Sequence, residues 1–322
     1  MQRLQPSRRA FLAGLGAACA APALGHASAS PIEDLSGAAF GTRWQLTGPS
    51  GLGQSRQSIE ALFADIDCEM SPWRADSTIS RFNASNSGMP VSAEMSRVVQ
   101  VALDLASRSE GAFDPTVGPL VARWGFGPIE QGAAPDWRNL SLQGGQLGKA
   151  ESDLTLDLCG IAKGRALDRA VDLMRGQGAE HLLFDLGGEL RALGGHPEGR
   201  DWRVAIESPL PGQSVAAILH LPAGMAVATS GVSAQGYVLN GRVWGHIMDP
   251  NRAGPVEGRL RAVSVLAPDA MTADGWATAL FAAGDEGGPD LARAHDVPAL
   301  FLYETDTALC RVVTGGMGDV LA

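Results

Sequence analysis

Lysine is almost missing from this chain. Of its 25 basic residues only Lys149 and Lys163 are lysines, and 35 acids leave a net charge of −10. No lysine-rich stripe is available to neutralise a polynucleotide backbone, so no nucleic-acid partner is expected. Cysteine is also sparse: Cys19, Cys68, Cys159 and Cys310 lie far apart with no C-x-x-C pair. That argues against zinc knuckles, thioredoxin-type redox sites and Cys-ligated iron–sulfur clusters. The histidines form no H-x-x-x-H or facial-triad spacing, which argues against a transition-metal site. Internal repeats, low-complexity tracts and long charge blocks are lacking too, and no Gly/Pro-rich patch is longer than a loop. What is present is a 322-residue chain, 45% hydrophobic and 19% charged, with a mean hydropathy near zero. Such a chain can bury a sizeable core, which excludes disorder and collagen-like or coiled-coil rods.

The N-terminus reads as an address. Arg8-Arg9 precede Phe11-Leu12, a weakly hydrophobic Ala/Gly-rich run extends to Leu24, and Ala27-Ser28-Ala29 closes it, the pattern of a twin-arginine export signal over residues 1–29. A membrane anchor fails on length, since a span needs about 20 apolar residues. Gly16-Ala17-Ala18 before Cys19 lacks the large aliphatic residue of lipoprotein processing sites, so anchoring through Cys19 is not expected. Cleavage after Ala29 removes three arginines and no acids, leaving residues 30–322 with a charge of −13 and three cysteines. The expected location is periplasmic, and folded export hints at a bound organic or metal group.

Ile59, Leu62, Phe63, Ile66 and Met70 recur at helical spacing, as do Met95, Val98, Val99, Ala102, Leu103 and Ala106. The spacing returns at Leu167, Ala170, Val171 and Met174, and again over 273–283. Between them the runs 154–158, 181–186, 202–207, 216–220, 237–239, 243–248, 262–266 and 300–303 are short, partly alternating and bounded by Gly, Pro or Asp, and so read as strands. Helices and strands mix without regular alternation, which predicts an α+β class, and nothing in the chain reads as a domain linker.

Five segments can carry chemistry. In Asp157-Leu-Cys-Gly160-Ile-Ala-Lys163-Gly164 an expected strand passes through a glycine-flanked turn into a helix. Small residues, helix N–H groups and a rare lysine suit a phosphate there, although the same pattern makes an ordinary turn. Asp274 and Thr278 stand four apart on one helix face and offer two hard oxygen ligands for Mg²⁺. A first-turn cap at Asp274 with a packed Thr278 is the plain alternative. His246 closes a strand before Asp249-Pro250, where a histidine can be a general base or simply structural. Asp114, in a Pro/Gly-punctuated loop, reads as a turn former, and Trp73 at a helix exit suits either stacking on a planar ligand or partial burial.

Together these segments resemble the FAD:protein FMN transferase, or ApbE, family. The likeness runs in order through Phe40-Gly41-Thr42, Ser71-Pro-Trp73-Arg-Ala-Asp76-Ser-Thr-Ile79-Ser80-Arg81-Phe82-Asn83 and Gly111-Ala-Phe-Asp114-Pro-Thr-Val-Gly-Pro-Leu120. It continues through Asp157–Gly164, Asp185-Leu-Gly-Gly188-Glu, Ala228-Thr-Ser230-Gly, His246-Ile-Met-Asp249-Pro250 and Ala273-Asp274-Gly-Trp-Ala-Thr278.

The resemblance implies an enzyme that binds FAD with Mg²⁺ and transfers FMN onto a Ser or Thr hydroxyl of another exported protein, releasing AMP. It places Phe40 and Trp73 on either side of the isoalloxazine and Ala112, Phe113 and Asp114 in the flavin pocket. Asp157, Lys163 and Met248 would touch FAD. The Gly160 carbonyl, Asp274 and Thr278 would surround the metal, and His246 would take the proton of the incoming hydroxyl. The implied acceptor carries an Asp-Gly-x-Ser/Thr-x-Thr motif in a membrane electron-transfer complex; the export signal is shared with the subgroup serving nitrous-oxide respiration. Phe40, Trp73 and Gly245 stand where many relatives have Met, Tyr and Ser. Ala277 stands where some have a second metal-site acid, which implies a more loosely held ion. Two other activities fit the same residues: FAD pyrophosphate hydrolysis to FMN and AMP, and non-catalytic flavin carriage.

Overall fold

The computed structural model describes residues 31–210, 212–305 and 308–322, and the backbone of Gln2–Arg3. The signal read over residues 1–29 otherwise lies outside the described residues.

The chain opens with two strands, β1 (Ile32–Ala39) and β2 (Thr42–Pro49), paired through Phe40-Gly41 at φ values of 50° and 71°. Two consecutive left-handed residues make the type I′ turn that matches strand twist. Helices α1 (Arg56–Met70), α2 (Thr78–Ala84), α3 (Ala93–Arg108) and α4 (Gly118–Arg123) follow. The Ser77 hydroxyl caps α2 by accepting from the Ser80 N–H, and Ser92 does the same for α3 from Met95. A small hairpin, β3 (Leu140–Gln143) and β4 (Gln146–Lys149), precedes α5 (Ala162–Gly176). Next come β5 (Leu182–Leu186), β6 (Glu189–Leu193), β7 (Trp202–Glu207), β8 (Val215–Leu221), β9 (Ala226–Gly231), β10 (Gly236–Leu239) and β11 (Arg242–Gly245). The chain closes with β12 (Leu260–Ala267), α6 (Ala270–Ala282), α7 (Gly284–Ala294), β13 (Ala299–Glu304) and β14 (Leu309–Thr314).

Eight strands form one antiparallel sheet in the order β14-β13-β12-β9-β6-β5-β2-β1. Alternation along β12 sends Val263 and Val265 to one core and Ala262 and Leu266 to another. The helices cover the first face, where Trp44, Phe63 and Phe184 meet at ring separations of 5.8–6.3 Å. The β7–β8 ribbon covers the second through Trp202, Ile206, Leu219 and Leu221. Helix α6 is buried on nearly all sides, which explains why its sequence is apolar all round rather than striped.

The expected strand at 154–158 is a correction. This segment is extended and buried but joins no sheet. Side chains satisfy its backbone instead: Asn83 donates its amide to the Leu156 carbonyl at 2.9 Å and accepts the Leu156 N–H at 2.7 Å. The Lys149 ammonium donates to the Leu154, Phe82 and Asn83 carbonyls. A buried backbone needs partners, not a ladder.

Candidate functional site

The site forms where the start of α5 meets α6. Gly164 permits the approach: a Cβ there would lie 2.2 Å from the Ala270 carbonyl oxygen and 2.8 Å from the Asp274 Cβ. Asp168 locks it, accepting from the Ala270 and Met271 N–H groups at 2.8 and 3.0 Å and pairing with Arg191 at 2.5 Å. One carboxylate thus fixes α5, the start of α6 and the edge of β6 together. Its signal in the sequence was only an acid within a helical run.

Asp274 is 4% exposed and its Oδ2 accepts the Gly164 N–H at 2.9 Å, so it sits against the unpaired amides that open α5. One turn along α6, the Thr278 hydroxyl lies 3.3 Å from the Gly160 carbonyl and 3.3 Å from Ser230 Oγ on β9. The hydroxyl and the carbonyl therefore meet one helical turn from the Asp274 carboxylate. Burial, with Glu189 beside it, pushes the Asp274 carboxyl up to about 7 against the pull of Lys163 and Gly164. A buried carboxylate so poorly compensated, next to two neutral oxygens, fits a hard divalent cation.

Lys163 points at Glu189, 2.6 Å away. Burial opposes its charge, but Glu189 and Asp274 outweigh it and hold its pKa up at about 12. Glu189 is the residue that sequence reasoning passed over. Its carboxylate is 2% exposed and one oxygen has no hydrogen-bond partner, and the only hint was its place after Asp185-Leu-Gly-Gly188.

His246 is half-buried, with part of its ring open to solvent. Burial pushes its pKa down to about 4; Lys163 adds to the shift and the Gln235 carbonyl opposes it. Nδ1 lies 3.2 Å from that carbonyl, so the neutral ring donates Nδ1–H there and leaves Nε2 as a bare acceptor.

The Phe113 ring lies 3.2 Å from where a Gly160 Cβ would be. Asp157 is buried, its carboxyl pushed up by burial, and it accepts the Cys159 N–H at 2.8 Å. Asp114 spends its oxygens on the Thr116 N–H and hydroxyl and the Trp137 N–H, so its carboxylate shapes the loop that presents Ala112 and Phe113. Met248 is buried, Phe40 packs edge-on against Phe63 at 5.5 Å, and Trp73 is 66% exposed. A large aromatic that free of its own protein is not a core residue. Cys68, Cys159 and Cys310 are all free thiols.

The ApbE family model matches residues 40–301. The chain belongs to the ApbE family. It is 36% identical over 295 residues to the FAD:protein FMN transferase of Vibrio cholerae serotype O1, covering 84% of this chain and 87% of that one. It is 32% identical over 296 residues to the Escherichia coli K12 FAD:protein FMN transferase, covering 84% of each. The solved Vibrio cholerae flavin transferase ApbE superposes with a TM-score of 0.80 at 34% identity, covering 90% of this chain and all of that one. The apo flavinyl transferase ApbE of Pseudomonas stutzeri gives 0.80 at 31%, covering 90% and 96%. Both cover the eight-stranded sheet and its helices, so the α+β class and single catalytic domain hold.

Proposed function

We propose that this ApbE-family chain transfers FMN from FAD onto a Ser or Thr hydroxyl of an exported or membrane electron-transfer protein, releasing AMP, and that it does so with Mg²⁺. The names of its relatives support transfer to a protein. The single observation that carries the finer reading is the contact of Thr278 with the Gly160 carbonyl one helical turn from buried Asp274, with Lys163 acting electrostatically on both Asp274 and His246.

Gly160, Asp274 and Thr278 would hold Mg²⁺, which supplies charge neutralisation at the pyrophosphate when bound. Lys163, kept charged by Glu189, places a fixed positive charge beside the same region. Trp73 offers an open aromatic face for the isoalloxazine, Phe40 would take the other side of the ring, and Phe113 packs behind Gly160. The acceptor hydroxyl gives its proton to His246 Nε2, its oxygen bonds to the phosphorus of the FMN half, and the bond to the AMP oxygen breaks. A hydroxyl is a weak nucleophile near neutral pH, so a positioned base is worth about 10²–10⁴-fold.

We place the reaction outside the cytoplasm, after removal of the twin-arginine signal. The test is incubation of the chain from residue 30 with FAD, Mg²⁺ and an acceptor bearing Asp-Gly-x-Ser/Thr-x-Thr, then in-gel flavin fluorescence after denaturation. A covalent band lost with EDTA supports the proposal. Free FMN and AMP without a band would replace it by hydrolysis, and unaltered FAD by flavin carriage.

A further inference from the structure

Immediately before His246 stands the β10–β11 hairpin, turned by Asn240-Gly241 at φ values of 53° and 75°. Its inner face is anchored by stacking, Tyr237 on Phe126 at 5.2 Å and Trp244 on Trp124 at 5.1 Å. Its outer face sets Val238 opposite Val243, each 41% exposed. Across a two-residue turn the flanking pair is the hydrogen-bonded one and pairs then alternate. Leu239 and Tyr237 therefore spend their backbone groups on β11, while Val238 and Gly236 aim theirs outward.

That outward edge takes a strand. The backbone of Gln2–Arg3 lies antiparallel along it, Gln2 opposite Val238 and Arg3 opposite Tyr237. A strand running in this direction advances from Val238 past Gly236 toward Gln235, whose carbonyl holds His246.

We propose that the β10 edge is the docking strand for the flavin acceptor. An extended segment of the acceptor protein adds antiparallel to Val238 and Gly236, covers Val238 and Val243 with apolar side chains, and carries its Ser or Thr hydroxyl onward to His246. At about 3.4 Å per residue, a hydroxyl a few residues past the paired stretch leaves the hairpin for the site. Main-chain bonds supply the affinity and alternate side chains the selectivity. The inference rests on the transfer reading above. In the full chain Gln2–Arg3 occupies this same edge, so the chain from residue 30 presents it free. That shorter chain keeps the whole core, which begins at Leu35.

The test uses the chain from residue 30 with Val238→Pro and Val238→Thr. Proline deletes the outward N–H without touching a β10–β11 bond, and edge strands tolerate it. The probe is a synthetic dodecapeptide containing Asp-Gly-Ala-Thr-Ala-Thr, with covalent flavin and FAD affinity both measured. Val238→Pro is expected to raise the KM for peptide about tenfold, the size of one lost main-chain bond, with FAD affinity unchanged. Val238→Thr keeps that N–H and should raise the KM less than Val238→Pro does, and the Val238 amide of the wild type should exchange more slowly once peptide is added. An unchanged KM in Val238→Pro, or unslowed exchange at Val238 while peptide is being labelled, overturns the docking strand and leaves the transfer reading standing. A wild type that binds FAD but labels no peptide overturns both.

Discussion

Replacing Asp274 by Asn keeps the shape of the side chain and an acceptor for the Gly164 N–H while removing the charge. Because burial and Glu189 raise this carboxyl from 3.8 to about 7, the folded state binds its proton more readily than the unfolded one. The group's stabilising contribution is therefore full below the unfolded value and is lost as pH rises through about 7. At about 1.4 kcal/mol per pH unit the whole shift is worth about 4 kcal/mol, of which about 3 kcal/mol falls between about pH 5 and pH 8. Asn carries no such dependence. Urea denaturation followed by circular dichroism in EDTA should show Asp274→Asn gaining about 3 kcal/mol on the wild type over that interval, although its flavin transfer is lost. Mg²⁺ with FAD should reverse the order at the upper pH, because a ligand bound by the folded wild type alone adds stability by mass action. A stability difference that stays flat with pH in EDTA, or moves the other way, would refute the argument that Asp274 is an undercompensated buried charge.

Four further outcomes follow from the same geometry. His246→Ala should slow protein flavinylation by about 10²–10⁴-fold while FAD affinity is retained. The acid limb of the wild-type pH profile for kcat/KM should fall well below the ordinary histidine value of 6.5, because the folded ring stays neutral down to about 4. Trp73→Ala, at a side chain 66% exposed, should leave stability within about 0.5 kcal/mol of wild type yet weaken FAD binding about five- to tenfold by removing a stacking face, as FAD titration would show. Gly164→Ala should lower stability by about 1–3 kcal/mol through the clash with the Ala270 carbonyl. Mg²⁺ affinity should fall with it, because α5 can no longer reach Asp274.

Helices were legible where a stripe faces one core, as in α1, α3 and α5, while α6 showed as a long apolar run. The short α2 and α4 are too brief for a period to emerge, and α7 hides behind Gly287-Gly288-Pro289. Strands β7 and β8 were clear because one face is wet and one dry, whereas β1 and β2 carry Ser, Gly and Thr through their alternation. At the site, spacing brought Asp274 and Thr278 to one helix face. It was silent on Glu189 and Asp168, whose partners lie 26 and more than 100 residues away. Long-range ion pairs leave no period in a sequence.

The Asn83 amide couples α2 to the 154–158 segment through two short bonds across 73 residues, and Lys149 adds a third tie through the Leu154 carbonyl. Trp73 leads into α2, and Asp157 and Gly160 follow the tied segment directly. The aromatic wall and the oxygen-lined floor of the cleft are thus one mechanical body, assembled when the chain folds. FAD then meets a receptacle whose two ends already stand at a set spacing, and little of its binding energy is diverted to ordering protein. A single amide at the end of α2 acts as the gauge for that spacing.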